Sequence, residues 1–120
     1  MRQRPKILAF DIFGTVVDWH GSIVRELEVL YPQVDGNAFA LAWRAGYQPA
    51  MQRVRSGELG WVRIDELNRM ILDAMLPTFG LEHLREVERH HLNRVWHRLD
   101  AWPDSVAGLL RLKSRYTLCT

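Results

Sequence analysis

The chain opens on a short apolar run, Lys6 to Phe10 (KILAF), bounded by Pro5 on one side and the Gly14 turn on the other. An uninterrupted apolar run of that length predicts a strand buried on both faces of a parallel sheet. From Ser22 the period changes to a helical one: Ile23, Leu27 and Leu30 recur on one face, Ser22 can cap the segment, and Pro32 closes it. A second helix is predicted from about Asn37 to Val54, with Phe39, Trp43, Tyr47, Met51 and Val54 on one stripe and Pro49 as the point of a kink or interruption. A third runs from about Val62 to Leu76 with Ile64, Leu67, Ile71 and Met75 on one face, stopping at Pro77 with Gly80 just beyond. The fourth, from about Leu81 to Leu99, turns Leu81, Leu84, Val87, Leu92, Val95 and Leu99 inward. Residues 21–99 therefore read as a helical bundle without strands.

Trp102-Pro103-Asp104 then breaks the pattern and restarts it. Residues 104–114 (DSVAGLLRLKS) form a short amphipathic helix that Asp104 can cap, and the closing YTLCT begins a second buried strand. A strand, a large helical insertion, a helix and a further strand make a βαβ unit interrupted by a second domain. The predicted fold is α/β: a Rossmann-type core from residues 1–15 and 100–120, and an inserted α-helical domain over 16–99. On this reading the core is incomplete, because a two-stranded parallel sheet leaves both edges unpaired.

Composition adds exclusions. At 120 residues and 48% hydrophobic the chain can bury one modest core. Its formal charge of +2 comes from basic residues scattered among acids without a run of like charge, so no nucleic acid partner is expected. The single cysteine, Cys119, rules out an internal disulfide and suits a cytoplasmic setting. The segment MRQRPKILAF has too short an apolar stretch for a signal peptide, and no stretch approaches the roughly 18 apolar residues of a membrane span.

Candidate chemistry sits at the end of the first strand, in AFDIFGTVVDWHG (residues 9–21). Ligand sites in open α/β sheets lie just beyond the carboxyl ends of the strands, where Asp11 falls. Gly14 permits a sharp turn, Thr15 can bond to the carboxylate or to the turn, and the turn's backbone amides can face an anion. The same spacing is met by an aspartate that only caps the turn.

FDIFGTVVDW resembles the first motif of the haloacid dehalogenase superfamily, in which an aspartate nucleophile ends the first strand and a Gly-Thr pair follows. WRAGY (43–47), the Gly57 and Trp61 segment, the DELNRM helix and the WPD-to-LLRLK stretch resemble the type II branch, the (S)-2-haloacid dehalogenases, over essentially the whole chain. The resemblance implies that the inserted helices are a cap domain. It implies displacement of halide at C2 of a short 2-haloacid by Asp11, an ester hydrolysed at the enzyme's own carbonyl carbon, and an (R)-2-hydroxyacid product, without metal or organic cofactor. Arg44 matches the arginine that receives the halide, a role that suits a fixed guanidinium. Ile12 and Phe13 would supply amides to the substrate carboxylate, and Trp19 and Trp61 would line the cleft between cap and core or pack within it. Trp43 and Tyr47 read more naturally as core than as pocket. Phe13 is informative because the superfamily's phosphatases carry there an acid that protonates the leaving alkoxide, whereas a halide leaves without a proton.

Parts of the family's site have no counterpart in this sequence. The motif II hydroxyl falls just past Thr120, and neither lysine, Lys6 or Lys113, matches the catalytic one. The resemblance thus implies a truncated form, with weak or absent turnover in the 120-residue chain. A phosphatase-like hydrolase and a non-catalytic helical interaction module remain as alternatives, and a homodimer is left open. His83, His90 and His97 recur every seven residues, with His91 adjacent; residues so spaced lie about 10 Å apart along a helix, too far to share one ion.

Overall fold

Strand β1 (Ile7–Ala9) forms within the predicted apolar run but is not buried on both faces as expected: Ile7 is 60% exposed and Ala9 is exposed, with only one strand paired beside it among the described residues. The computed structural model describes residues 3–120, so the first two residues of the predicted core segment lie outside the described residues. β1 pairs in parallel with the last strand, β4 (Thr117–Cys119), in the register Ile7 to Thr117 and Ala9 to Cys119. Helix α6 (Ser105–Lys113) makes the crossover, so the interrupted βαβ unit predicted from the sequence is present. Asp104 accepts no hydrogen bond on its side chain as a cap; its backbone carbonyl takes the Gly108 amide instead.

Between these strands the chain is helical, in the order α1 (Trp19–Leu30), α2 (Gly36–Ala45), α3 (Tyr47–Arg55), α4 (Ile64–Met75) and α5 (Glu86–Asn93). A two-residue antiparallel pair, β2 (Val17–Asp18) with β3 (Asp100–Ala101), closes the base of this helical unit where the chain enters and leaves it. α1 begins three residues before the predicted cap. Asp18 is the cap, its carboxylate accepting from the Gly21 amide at 2.9 Å. Ser22 is instead buried and spends its hydroxyl across elements, accepting from the Asp100 amide at 2.9 Å.

The predicted second helix is two helices, and Gly46 divides them. Pro49 falls in the first turn of α3, where its missing N–H would have had no partner within the helix, so it breaks nothing. A side chain at Gly46 would collide with Ile71 of α4, so glycine here permits the closest approach of the α2–α3 corner to its neighbour. On α4 the buried stripe is Leu67, Asn68 and Leu72, continued by Leu76, rotated one position from the predicted face; Ile64 is exposed. A 3₁₀ turn, Leu76–Phe79, follows and ends at Gly80 in the left-handed region (φ +69), a conformation glycine adopts at little cost.

The predicted fourth helix is mostly irregular. Residues 81–85 form a turn, α5 spans only Glu86–Asn93, and a 3₁₀ turn (Arg94–His97) completes it. Leu81, Leu84, Leu92 and Val95 are buried as expected, but Val87 is 64% exposed. It precedes Leu92 by five residues, about 140° around a helix, so both cannot face inward. The core joins Ile23 and Leu27 of α1, Phe39, Ala40 and Trp43 of α2, and Leu72, Leu76, Leu81, Leu84, Leu92 and Val95. All of it lies within the helical unit, and α6 buries no residue. The radius of gyration, 17.4 Å, exceeds the roughly 13–14 Å of a sphere-like chain of this length, in keeping with the elongated extents of 60 × 37 × 22 Å.

Candidate active site

The loop from Asp11 to Val16 is a tight, internally bonded turn. Ile12 O accepts from the Val16 and Val17 amides, and the Gly14 amide donates to Val17 O at 2.9 Å. Gly14 stands at φ +92, a conformation that L side chains rarely adopt. The turn brings Thr15 back over the end of β1, where its hydroxyl donates to Asp11 Oδ2 at 2.8 Å. Asp11 and Thr15 are therefore together, as the sequence expectation had them. One carboxylate oxygen is held by Thr15, which leaves the other for a ligand.

Facing this loop is a cavity of about 210 Å³ lined by Asp11, Phe13, Trp43, Arg44, Tyr47, Ile64, Asn68 and Trp96. It is smaller than the roughly 300–1,000 Å³ of pockets for drug-sized ligands, so its size suits a small molecule. Among the described residues that line it, Asp11 is the only carboxylate and Arg44 the only cation. The guanidinium of Arg44 lies 4.6 Å from the centre of the Tyr47 ring, a cation–π stack that fixes the charge at the wall. The apolar side of the cavity rests on an aromatic cluster. Trp96 meets Phe13 edge-to-face at 5.6 Å and Trp43 at 5.5 Å, and Trp19 stacks behind it at 6.2 Å.

Of the residues expected at the site, the cavity brings together Asp11, Phe13 and Arg44, with Thr15 bonded to the carboxylate. It does not bring in Ile12, Trp19 or Trp61. Ile12 lines a separate hollow with Phe10, Val16 and Leu109 on the α6 side of the sheet. Trp19 is half-buried one layer back, against Trp96. Trp61 is 82% exposed in the loop before α4 and is not among the residues that line the cavity.

Trp43 and Tyr47, expected in the core, are both wall residues. Trp43 is core as well: it is 1% exposed and donates its indole N–H to Asn68 O at 3.0 Å. Ile64, Asn68 and Trp96 were not foreseen as site residues. Asn68 had a signal, a polar residue beside the predicted apolar stripe of α4, whereas nothing local marks Trp96. Two of these histidines stand in separate pairings, His97 with Asp65 at 2.7 Å and His91 with Glu26 at 3.3 Å. Among the described residues no helix is long and apolar enough to cross a membrane.

No family model matches the chain, and no curated protein matches it. Solved structures do. An L-2-haloacid dehalogenase is 40% identical with a TM-score of 0.84 over 93% of this chain and 48% of its own. A defluorinating L-2-haloacid dehalogenase is 39% identical with a TM-score of 0.87 over 94% of this chain and 49% of its own. In fold alone, the chain is also similar to the L-2-haloacid dehalogenase from Xanthobacter autotrophicus with chloropropionic acid covalently bound, at 23% identity and a TM-score of 0.78. The chain spans about half the length of these structures.

Proposed function

We propose that this chain, which has the haloacid dehalogenase-like fold and resembles the L-2-haloacid dehalogenases, carries the nucleophile and halide-side wall of a 2-haloacid dehalogenase. Residues 1–15 and 100–120 are its part of the core, and 16–99 are the cap. The observation that carries this reading is the small cavity that sets Asp11 and Arg44 together among mainly aromatic side chains.

The chemistry follows from those groups. The free oxygen of Asp11 attacks C2 of a short (S)-2-haloacid from the side opposite the halogen. The new C–O bond forms as the C–halogen bond breaks, and the halide leaves with the bonding pair toward Arg44, which stabilises the growing negative charge. Thr15 holds the other carboxylate oxygen and so limits rotation of the nucleophile. The Ile12 and Phe13 amides, neither of them bonded to backbone within the turn, are the donors for the substrate carboxylate, although the Ile12 side chain faces the separate hollow. Backside attack inverts C2, and water at Asp11 Cγ releases the (R)-2-hydroxyacid and restores the carboxylate. Phe13 gives an apolar wall to the carbon centre where a phosphatase needs an acid for its leaving group. Neither step calls on a metal or organic cofactor.

Among the described residues that line the cavity, none other than Asp11 is a base that could activate that water. The ester is therefore expected to form faster than it hydrolyses in the 120-residue chain. Purified chain mixed with (S)-2-bromopropionate is expected to release close to one equivalent of bromide and then slow sharply, and the (R) enantiomer should release far less. Release from neither enantiomer, or equal release from both, would remove the reading. The Xanthobacter structure with covalently bound chloropropionic acid makes such a trapped adduct a reasonable target.

A further inference from the structure

The segment that returns from the helical unit to the βαβ unit is bonded to the Asp11 loop at three points. Trp102 donates its indole N–H to Gly14 O at 3.0 Å, the Trp102 amide donates to Val16 O at 3.1 Å, and the Ser105 hydroxyl donates to the same carbonyl at 2.6 Å. Of these, the first is the unusual one. Trp102 is 38% exposed, so burial alone does not explain its orientation. Its N–H reaches the carbonyl of the loop residue that stands at positive φ.

We infer that Trp102 is a positioning residue for Asp11, acting through the Gly14–Thr15 peptide. The carbonyl of Gly14 and the amide of Thr15 share one planar unit, so fixing the carbonyl fixes the plane from which Thr15 departs. Thr15 in turn donates to Asp11 Oδ2. The connected series is Trp102 N–H to Gly14 carbonyl, across the peptide to the Thr15 hydroxyl, and on to the carboxylate. Glycine at position 14 lets the turn form but leaves its peptide plane more freedom than any other residue would, and the indole bond removes that freedom. Trp102 lies 88 residues from Gly14 in sequence, on the far side of the helical unit. The order of the nucleophile loop thus depends on how the helical unit returns the chain.

This inference rests on the proposed function for its catalytic meaning, yet it can be read separately. Trp102→Phe keeps an aromatic ring and removes the donor; Ser105→Ala removes a bond to Val16 and leaves the Gly14 carbonyl alone. Two readouts are taken on the full 120-residue chain: amide hydrogen exchange over residues 14–17, and the rate of ester formation at Asp11 with saturating (S)-2-bromopropionate. For Trp102→Phe, exchange over 14–17 should rise about tenfold, the scale of one lost neutral hydrogen bond, with α1 and α2 amides unchanged. The maximal rate of ester formation should fall by a similar factor at an unchanged half-saturating concentration, while Ser105→Ala should move it less.

Unchanged exchange over 14–17 in Trp102→Phe overturns the inference, as does an unchanged ester-forming rate. If the unsubstituted chain forms no ester, the proposed function fails, and the exchange measurement still decides whether Trp102 orders the loop. Exchange that rises throughout the chain also counts against it, because the role would then be general stability.

Discussion

Replacing Gly46 by alanine tests the packing that places Arg44 and Tyr47 at the cavity. Gly46 has right-handed backbone angles (φ −71, ψ −15), so alanine meets no backbone penalty. At an open position the exchange would stabilise the chain by about 0.4–1 kcal/mol through the unfolded state. This position is closed. A Cβ would run into the Ile71 Cγ2 methyl, with Ile71 Cβ and Cγ1 each 3.4 Å away. Rotating Ile71 offers little relief, since a β-branched side chain on a helix has one strongly preferred rotamer and its Cβ does not move with χ1. The α2–α3 corner must shift instead, and overpacking of this kind costs about 1–3 kcal/mol. The net is a destabilisation of up to roughly 2.6 kcal/mol, centred on about 1.3 kcal/mol, or about 5 °C of melting temperature at roughly 4 °C per kcal/mol for a chain of this size. Thermal unfolding followed by circular dichroism reads it directly. Ile71→Ala removes the Cγ2 and Cγ1 atoms and leaves only the Cβ, at 3.4 Å, so the double variant should be more stable than the two single effects added together. A melting temperature that rises in Gly46→Ala, or strictly additive effects, would refute the argument that Gly46 is set by close approach to α4.

Two further outcomes follow from the structure. Trp43→Phe takes away the donor to the buried Asn68 carbonyl and part of the ring against Phe39 and Trp96. A loss of about 1–3 kcal/mol is expected in urea unfolding, and a loss below 0.5 kcal/mol would mean that Trp43 is wall rather than core. Arg69 donates to both carboxylate oxygens of Glu86, joining α4 to α5, and that bond holds the Glu86 carboxyl below its ordinary value of 4.5. A carboxyl lowered in the folded state stabilises above its unfolded value, and the contribution is lost as pH falls through the folded one. The unfolding midpoint should therefore decline as pH drops below about 4.5, and less steeply in Glu86→Gln; parallel pH profiles for the two chains would contradict this.

The ends of the chain were the most legible part of the sequence. KILAF and YTLCT are short apolar runs with no helical phase, and α6 between 104 and 114 has one. The pairing of β1 with β4 follows, because a strand–helix–strand order with a helical insertion leaves little other topology. Helix interruptions were harder to read. Pro49 carried the expectation of a break because proline is a helix breaker in general, but a proline in a first turn costs nothing; the break came at Gly46, whose reason is a neighbour 25 residues away. Val87 shows the same limit, since a phase drawn across residues 81–99 assumed a continuity that the turn at 81–85 interrupts. At the site, Asp11, Thr15 and Phe13 were legible because they share one loop with a recognisable order. Arg44 was legible only by resemblance. Trp43, Tyr47, Ile64, Asn68 and Trp96 come from α2, α3, α4 and the turn after α5, so only the tertiary packing makes them a wall. Trp61 stands exposed in its loop and does not line this cavity, and a tryptophan in a loop carries no sign of which way it faces.

The central claim is that Asp11 is a nucleophile toward a halogen-bearing carbon. The most direct measurement is intact mass spectrometry of the chain after reaction with (S)-2-bromopropionate, followed by peptide mapping of the adduct. One carboxyethyl group should be found on the peptide carrying Asp11, as a hydroxylamine-sensitive ester, and it should be absent from Asp11→Asn, whose melting temperature serves as the check on folding. An unmodified chain, or an adduct on Cys119 or a histidine that persists in Asp11→Asn, would contradict the claim.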